Sequence, residues 1–360
     1  MTIYIVQMLM SLFSQSICAG QRFSRKIKKI SLLITILFLS IFSAIRYGIG
    51  GDYTHYVNLY NAALVHGSQD FYTEPGFNLL LVFLTRCGMP SQSIFIISSV
   101  LLGIALWYFI TSCVENRYWG LCIFLFISFG FYFSSLNILR QYMAFSIGLF
   151  ALVFLKKKKF MPFIGLVIIA MFFHTAAIFL FAVPLFSRVT KLKHGFWVLS
   201  FMYIISLTFI LFDIRPFVAW LSNFVNRWSG YSDSTYFTEK NAGAILKLFI
   251  PNLLAIWYLI TFSNKESVLS NDNKWSDIGI VGILYVCLQN IFFGIMVLTR
   301  ISEMFGMCFI LWTIGVITSN KEKYTNVLFE LLLYVYGFVL TFVTIFQMNG
   351  YGVMPYQSIF

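Results

Sequence analysis

Ionisable residues are sparse in this sequence, and several of them fall in four short motifs within apolar surroundings. The motifs are RYGIGGDYTHY at 46–56, EPGFNLL at 74–80, SSLNILRQYMA at 134–144 and FFHTAA at 172–177. An isolated arginine or histidine costs free energy near hydrocarbon, so each is expected to face a cavity filled with water or ligand. Such groups can bind anions and move protons. The pattern therefore predicts a membrane-embedded enzyme.

The elements that must position these motifs are membrane-spanning helices. Hydrophobic residues make up 59% of the 360 residues and charged residues 11%, and the mean hydropathy is +0.83. Apolar runs of about 17 to 23 residues match the roughly 20 residues that cross a bilayer as a helix. We expect an all-α polytopic integral membrane protein with about 11–12 transmembrane segments.

Basic residues indicate the topology. Lysine and arginine cluster at 22–29, 156–159 and 188–193, and the positive-inside rule assigns these loops to the cytoplasm. The net charge of +12 therefore reflects orientation in the membrane rather than nucleic-acid binding. The N terminus is then outside, and segment 1–19 is expected to remain as the first span because no basic residue precedes its apolar stretch.

The further predicted spans are about 30–45, 92–112, 118–134, 140–155, 196–212, 243–262, 278–299, 302–318 and 325–346. The stretch 160–186 is either one tilted span or a hairpin of two short helices that turns near His174, and the distribution of basic residues favours the hairpin. In the hairpin, His174 and Arg140 lie at similar depth in the outer part of the membrane. Arg300 ends the outward span 278–299 and is expected at the same level.

Two longer segments, 46–91 and 213–242, are expected on the outer side and combine charged with aromatic residues. Sugar rings stack on aromatic faces while their hydroxyl groups bond to polar side chains, so both segments are candidate glycan-binding regions. The candidate contacts are Tyr53, His55, Tyr56, Arg227, Trp228 and Tyr231. Tyrosine and tryptophan also anchor helices at the membrane interface, and Asp52 can equally serve as a helix cap. The sequence leaves these alternatives open.

The sequence indicates neither a metal nor a redox site. Its six cysteines form no CxxC motif, and only Cys87 falls clearly in an outward segment, so no disulfide is expected. Four histidines without a histidine or cysteine cluster argue against zinc. We therefore expect a site with no metal and no cofactor.

In this order and spacing, the four motifs resemble the EpsG-like branch of the Wzy polymerases, polytopic enzymes that polymerise lipid-linked bacterial polysaccharide repeat units. The matching residues are Arg46, Asp52, Tyr53 and Tyr56, then Glu74 to Phe77, then Arg140, Gln141 and Ala144, and finally His174, Ala176 and Ala177. The resemblance covers about residues 30–310 when a weaker match at Arg300 is included. The C-terminal part matches only in hydropathy.

The resemblance implies a membrane glycosyltransferase, with a GT-C-like arrangement of helices as a candidate, that acts on the outer face of the bacterial cytoplasmic (inner) membrane. It would transfer a growing O-antigen, capsular or exopolysaccharide chain from undecaprenyl pyrophosphate to the non-reducing end of one lipid-linked repeat unit. The implied partners are these undecaprenyl-pyrophosphate-linked units, membrane lipid, and a chain-length regulator and flippase of the same pathway. Such enzymes need no nucleotide sugar, and the sequence carries no nucleotide-binding signature.

The implied chemistry assigns roles to the motif residues. Guanidinium groups would stabilise the charge that develops on the pyrophosphate, with Arg140 and Arg300 as first candidates and Arg46 as the third. A base whose pKa lies near ambient pH would activate the acceptor hydroxyl, which suits His174. Asp52 and Glu74 are its rivals for this catalytic role. Gln141 joins the candidate glycan contacts.

Other functions compete with the polymerase. An O-antigen ligase would use the same donor with a lipid A core acceptor. A membrane O-acyltransferase would need a route from a cytoplasmic acyl donor to its histidine. A glycan flippase should carry charge along its whole transport path, whereas the charge here clusters on one side. The polymerase is therefore preferred.

Overall fold

The computed structural model describes residues 1–67, 73–189, 194–212, 216, 220, 242–262, 278–318 and 323–360. In these ranges the chain is helical apart from turns, extended connections and isolated bridges such as the antiparallel one between Arg46 and Ser358. The predicted all-α polytopic architecture is thereby confirmed. The helices fall into two compact units, Met1–Phe181 with Gly337–Phe360, and Ala182–Tyr336. The single transmembrane domain expected from the sequence stays a prediction.

The first unit carries all four motifs. Its helices are α1 (Thr2–Ala19), α2 (Arg25–Ala44), α3 (Tyr53–His66), α4 (Pro75–Arg86), α5 (Gln92–Cys113), α6 (Trp119–Ser128), α7 (Phe131–Asn137), α8 (Leu139–Lys156) and α9 (Phe160–Met171). Short 3₁₀ segments lie at Asn116–Tyr118 and Thr175–Phe181. The segment 46–91, expected as an outward loop, thus contains two helices, α3 and α4.

The second unit begins after the fourth motif. Its helices are α10 (Ala182–Val189), α11 (Gly195–Leu211), α12 (Ala242–Phe262), α13 (Gly282–Ile291), α14 (Met296–Glu303), α15 (Gly306–Thr318) and α16 (Lys323–Thr341). A 3₁₀ turn at Gly279–Val281 precedes α13. The end of α16 returns to the first unit, where a π-helical segment, Phe342–Gln347, leads into the C-terminal residues.

Membrane-spanning capacity varies among these helices. In the described ranges, six are long and apolar enough to cross a bilayer, namely α1, α2, α5, α8, α12 and α16 with its π-helical extension. The pair α6 and α7, bent by 52°, forms a seventh when it is taken as one broken span. Shorter apolar helices cover Phe160–Met171, Thr175–Val189, Gly195–Leu211, Gly279–Ile291 and Gly306–Thr318. The predicted 11–12 segments therefore correspond to long helices and shorter ones together.

The chain reverses direction at His174. α9 ends at Met171, and the 3₁₀ segment that starts at Thr175 packs back along it. Phe163 in the first turn of α9 contacts Phe181 at the end of the 3₁₀ segment, with ring centroids 6.0 Å apart and the planes near perpendicular. Contact between residues so far on either side of His174 requires a hairpin. The hairpin predicted for 160–186 is therefore confirmed.

The predicted single span 278–299 is wrong. α13 ends at Ile291, and α14 begins only at Met296. Between them Gly294 has φ +84°, a left-handed conformation that glycine adopts readily and that ends a right-handed helix. Arg300 consequently lies inside the short helix α14 rather than at the end of a full outward span.

The second outward segment lies almost wholly outside the described residues. Of 213–242, the structure describes positions 216, 220 and 242. The candidate glycan contacts Arg227, Trp228 and Tyr231 are among the residues it does not describe.

Candidate active site

One hydrophobic cluster in the first unit brings the four motifs together. Its buried members are Tyr53, Tyr56, Tyr60, Ala63, Phe77, Leu81, Leu84, Ile94, Phe95, Leu139 and Met143, and Phe173 packs against them. The α3 members are spaced three and four residues apart, which places them on one face of that helix. Every motif contributes at least one apolar side chain to this cluster. Burial of these side chains therefore holds the polar residues of all four motifs around a common core.

Arg140 and Glu74 form an ion pair across this core. The Nη1 atom of Arg140 lies 2.6 Å from Oε2 of Glu74, and the side chains are 23% and 6% exposed respectively. Glu74 immediately precedes α4, and Pro75 occupies the first helical position, where its fixed φ suits the helix start. The Nε atom of Arg140 is buried without a hydrogen-bond partner in the described residues. One side of the guanidinium is thus held by protein while Nε retains a donor.

Tyr56 links the first motif to this pair. Its hydroxyl accepts a hydrogen bond of 3.5 Å from the backbone N–H of Arg140. Burial raises the pKa of Tyr56, although the adjacent Arg140 opposes the shift. The hydroxyl therefore stays protonated at neutral pH and keeps its own proton for donation.

His174 lies in the turn of the hairpin, and the second motif docks against that turn. The backbone N–H of Gly76 donates to the carbonyl oxygen of Phe172 at 2.8 Å. A side chain at position 76 would come within 2.8 Å of the same oxygen, so glycine permits this close approach. The Nδ1 atom of His174 accepts a hydrogen bond of 3.2 Å from the N–H of Ala176. In neutral imidazole this bond places the proton on Nε2, which is then a donor.

Arg46 is more deeply buried than the sequence suggested. It is 1% exposed, its Nη1 donates to the carbonyl and hydroxyl oxygens of Ser43, and its guanidinium carbon lies 4.8 Å from the centre of the Phe95 ring. Its Nε and Nη2 atoms are buried without a hydrogen-bond partner in the described residues. Burial lowers the pKa of Arg46 to about 10, so it remains charged at neutral pH. In this conformation Arg46 is not open to a substrate.

The remaining predicted contacts of the first motif differ in exposure. Asp52 precedes α3 and is partly exposed, and its side chain makes no capping hydrogen bond, so the capping alternative does not account for it. Tyr53 is buried and stacks on Phe95 at 4.4 Å between centroids. His55 is exposed, with its ring 5.8 Å from that of Tyr56. Gln141 beside Arg140 is 2% exposed.

Sequence reasoning missed two side chains that fasten the first motif. Asn137 accepts the backbone N–H of Asp52 at 2.9 Å through Oδ1. Gln92 donates through Nε2 to the carbonyl oxygens of Ala44 and Arg46, and its Oε1 accepts from the hydroxyl of Tyr53 at 3.3 Å. Asn137 stands inside the third motif and could have been flagged there. Gln92 lies in an otherwise apolar helix with no local signal.

The structure brings Arg46, Asp52, Glu74, Arg140 and His174 into one unit. Arg300 is half-buried in α14 of the second unit. Its predicted depth in the membrane, equal to that of Arg140 and His174, stays a prediction. Within the described ranges, no three histidine, cysteine, aspartate or glutamate side chains are grouped closely enough to hold a metal ion.

Comparison with known protein families identifies a relationship that covers most of the chain. The model of the EpsG family matches residues 29–358, which is most of the chain and includes all four motifs. No curated protein and no solved structure gives a significant match.

Proposed function

The chain belongs to the EpsG family of Wzy-like polysaccharide polymerases, and from that premise we propose that it polymerises undecaprenyl-pyrophosphate-linked oligosaccharide repeat units. The family establishes a membrane protein of polysaccharide biosynthesis. The proposed reaction takes place on the outer face of the bacterial cytoplasmic membrane and yields O-antigen or a capsular or extracellular polysaccharide. Partners in the same pathway would be a flippase that delivers the units and a regulator of chain length.

One observation carries the proposal most directly. Arg140 is oriented by Glu74 through Nη1, and its side chain is 23% exposed, unlike that of the buried Arg46. An oriented guanidinium with a remaining donor suits a phosphate group, because its planar fork matches the phosphate oxygens.

In the proposed reaction, the bond between the anomeric carbon of the donor glycan and the pyrophosphate oxygen breaks. A hydroxyl oxygen of the acceptor unit forms the new glycosidic bond, and undecaprenyl pyrophosphate leaves with the electron pair. Negative charge grows on the leaving oxygen, and Arg140 stabilises it there. Arg46 is buried, so we assign it the weaker role of a fixed positive charge behind the first motif. Arg300 is the further candidate for pyrophosphate.

The proton of the acceptor hydroxyl must pass to a base. The Nε2–H tautomer favoured by the Ala176 bond makes His174 a donor in the resting site. We therefore propose that His174 orients the substrate through Nε2–H, and that a carboxylate takes the proton. We propose Asp52 rather than Glu74 for this role, since Glu74 is held in the ion pair whereas Asp52 is partly exposed and makes no capping hydrogen bond. Proton removal by a positioned group typically contributes about 10²–10⁴ in rate.

The aromatic and amide residues around these groups would contact the sugars. Among them, Tyr53, His55 and Tyr56 follow Asp52 closely in the chain, and of these three His55 is the exposed one. Tyr53 and Tyr56 are largely committed to the core, so we expect His55 to make more contact with glycan than they do. Gln141 and the residues Arg227, Trp228 and Tyr231 stay candidates for the same role.

The test is an assay with purified protein and purified lipid-linked repeat units. We expect the wild-type protein to convert single units into a ladder of longer glycans and to release undecaprenyl pyrophosphate. Arg140→Ala should lose the ladder. Arg86→Ala is the matched control, because Arg86 is an exposed arginine at the end of α4. A wild-type protein that leaves the units single, or a full ladder from Arg140→Ala, would overturn the proposal or this assignment respectively.

A further inference from the structure

The C-terminal residues lie along the first motif as an antiparallel partner. Four backbone hydrogen bonds join the two segments: Tyr47 N–H to Gln357 O at 3.1 Å, Ile359 N–H to Ile45 O at 3.0 Å, Gly50 N–H to Gly352 O at 2.9 Å and Gly51 N–H to Tyr351 O at 3.3 Å. Arg46 and Ser358 face each other in the bridge between them. We call residues 348–360 the C-terminal strap.

Side chains from other helices fasten the strap as well. The hydroxyl of Tyr4 in α1 donates to the carbonyl oxygen of Val353 at 2.9 Å, and Val353 itself is fully buried. The hydroxyl of Tyr356 donates to the carbonyl oxygen of Phe42 near the end of α2 at 2.8 Å. The ring of Tyr356 meets that of Tyr4 edge-on at 5.9 Å between centroids. The strap is therefore bound both to the first motif and to the helices beneath it.

Glycines permit the close approach. Gly50 has φ +97° and lies against the carbonyl oxygen of Leu136, so a side chain there would collide with backbone. Gly352 has φ +65°, and a side chain on it would come within 3.1 Å of the nitrogen of Gly51. Left-handed φ at both positions and backbone-to-backbone contact explain why these residues lack side chains. Three of the residues 48–51 are glycine, so without the hydrogen bonds to the strap their backbone conformation would have few constraints.

The strap also lies against the buried Arg46. Arg46 is 1% exposed and takes part in the bridge to Ser358. Burial raises the pKa of Tyr356 to about 12, and the positive charge of Arg46 opposes that shift. The phenol of Tyr356 is therefore close enough to the guanidinium to interact with its charge. Removing the strap would open Arg46 to water and release residues 46–51, which lead directly into Asp52.

We propose that the C-terminal strap is a positioning element of the active site, which holds residues 46–52 in register and stays docked while the enzyme turns over. This inference rests on the proposed polymerase function. It assigns the strap no contact with substrate. Tyr356 and Gly352 act through the first motif, and neither is a catalytic residue.

The experiment uses a reversible lock between the two segments. Tyr47 and Gln357 lie opposite each other and are both exposed. Paired residues of an antiparallel bridge bring their Cα atoms about 4.5–5.5 Å apart, a separation that a disulfide can join. The variants carry Tyr47→Cys and Gln357→Cys, with Cys87→Ser to remove an exposed native thiol. A second set adds Gly352→Val, which places a branched side chain at left-handed φ and against Gly51.

We expect the oxidised cysteine pair to give the same glycan ladder as its reduced form. Gly352→Val alone should lose long glycans, and in the variant that carries all four substitutions oxidation should restore them while a reductant removes them again. Reversal in mature protein is a result that a folding defect would not give. Phe360→Ala, at an exposed position in the strap, is the control and should leave the ladder unchanged.

Two results would overturn the inference. If oxidation of the pair abolishes the ladder, the strap has to leave during turnover. If Gly352→Val, or a chain that stops after Met348 and inserts normally, keeps the wild-type ladder, the strap positions nothing. Arg140→Ala in the same assay distinguishes failure of the strap inference from failure of the proposed function. A full ladder from Arg140→Ala would show that the proposed active site is wrong. The yield of the disulfide reports docking independently of activity.

Discussion

Arg140 and Glu74, 66 positions apart in the sequence, meet through a 2.6 Å contact between Nη1 and Oε2. The carboxylate is nearly buried while the guanidinium is about one quarter exposed. The pair fixes one edge of Arg140, so its effects on folding and on chemistry should be separable by substitution.

Arg140→Lys should fail nearly as badly as Arg140→Ala. Lysine keeps the positive charge and can still meet Glu74, but it loses the planar fork that pairs with phosphate oxygens. We expect a loss of about 10²-fold or more in the rate of glycan extension. Ladder length at equal protein level measures it, with Arg86→Lys as the control. Full ladders from Arg140→Lys would reduce Arg140 to a source of charge.

Removing both members of the pair should rescue stability without rescuing activity. Each single substitution, Glu74→Ala or Arg140→Ala, removes the ion-pair partner of a group that is at least partly buried, so each should destabilise the protein by about 2 kcal/mol. The double variant should be more stable than the sum of the single effects predicts. Thermal unfolding in detergent measures the coupling, and the ladder assay shows whether extension stays absent. Additive losses would mean that the pair contributes nothing to folding.

His174→Gln should retain more activity than His174→Ala. Glutamine can donate a hydrogen bond from its amide, as the Nε2–H of His174 does, whereas alanine cannot. If His174 is instead the general base, the two variants should be equally inactive, because glutamine takes up no proton. The readout is the extension rate at saturating donor together with donor affinity, which the arginines should preserve in both variants.

Asp52→Asn should lose extension while leaving the fold intact. Asp52 makes no capping hydrogen bond, and its backbone N–H bond to Asn137 does not involve the carboxylate, so the amide should be tolerated structurally. Loss of a base predicts a fall of about 10²–10⁴ in rate at unchanged donor affinity. Asn58→Asp, on an exposed position of the same helix, is a control for charge near the site. An active Asp52→Asn protein would transfer the role of base to Glu74 or His174.

Arg46→Met should preserve the stability of the protein while lowering its activity. A buried guanidinium with two unpaired nitrogens is expensive to bury, so an apolar side chain of similar length should leave the melting temperature unchanged or raise it. Extension should nevertheless decline, because the positive charge behind the first motif is lost. Arg46→Ala, which creates a cavity, should lower the melting temperature. A strongly destabilised Arg46→Met protein would show that the charge is structural.

The sequence anticipated the motifs and their membrane setting better than their contacts. The hairpin at His174 was predictable because 27 residues are too many for one untilted span and the basic residues favoured a reversal. The break before Arg300 was not, since glycine occurs often in membrane helices and only its left-handed φ at Gly294 reveals a stop. Hydropathy likewise gave no sign that α3 and α4 would interrupt the first outward segment.

Long-range contacts escaped for a different reason. The pairing of Glu74 with Arg140, the role of Gln92 and the return of the C-terminal strap join residues far apart in the chain, and a periodic pattern reports only which face of one helix is buried. The strap also mixes glycine, proline, tyrosine and polar residues with scattered apolar ones, a composition typical of a loop. Four of its hydrogen bonds to the first motif and the end of α2 join backbone groups on both sides, which carry no sequence signature.

The bond from Tyr4 to Val353 connects residues separated by 349 positions. Translation at about 5–20 residues per second puts roughly 20 to 70 s between the synthesis of these two partners. During that interval the glycine-rich first motif has been made, but it lacks the C-terminal strap that pairs with it. The nascent protein should therefore be inert toward glycan until residues 348–360 have been made and have paired with the first motif, so that activity appears only once the strap is in place.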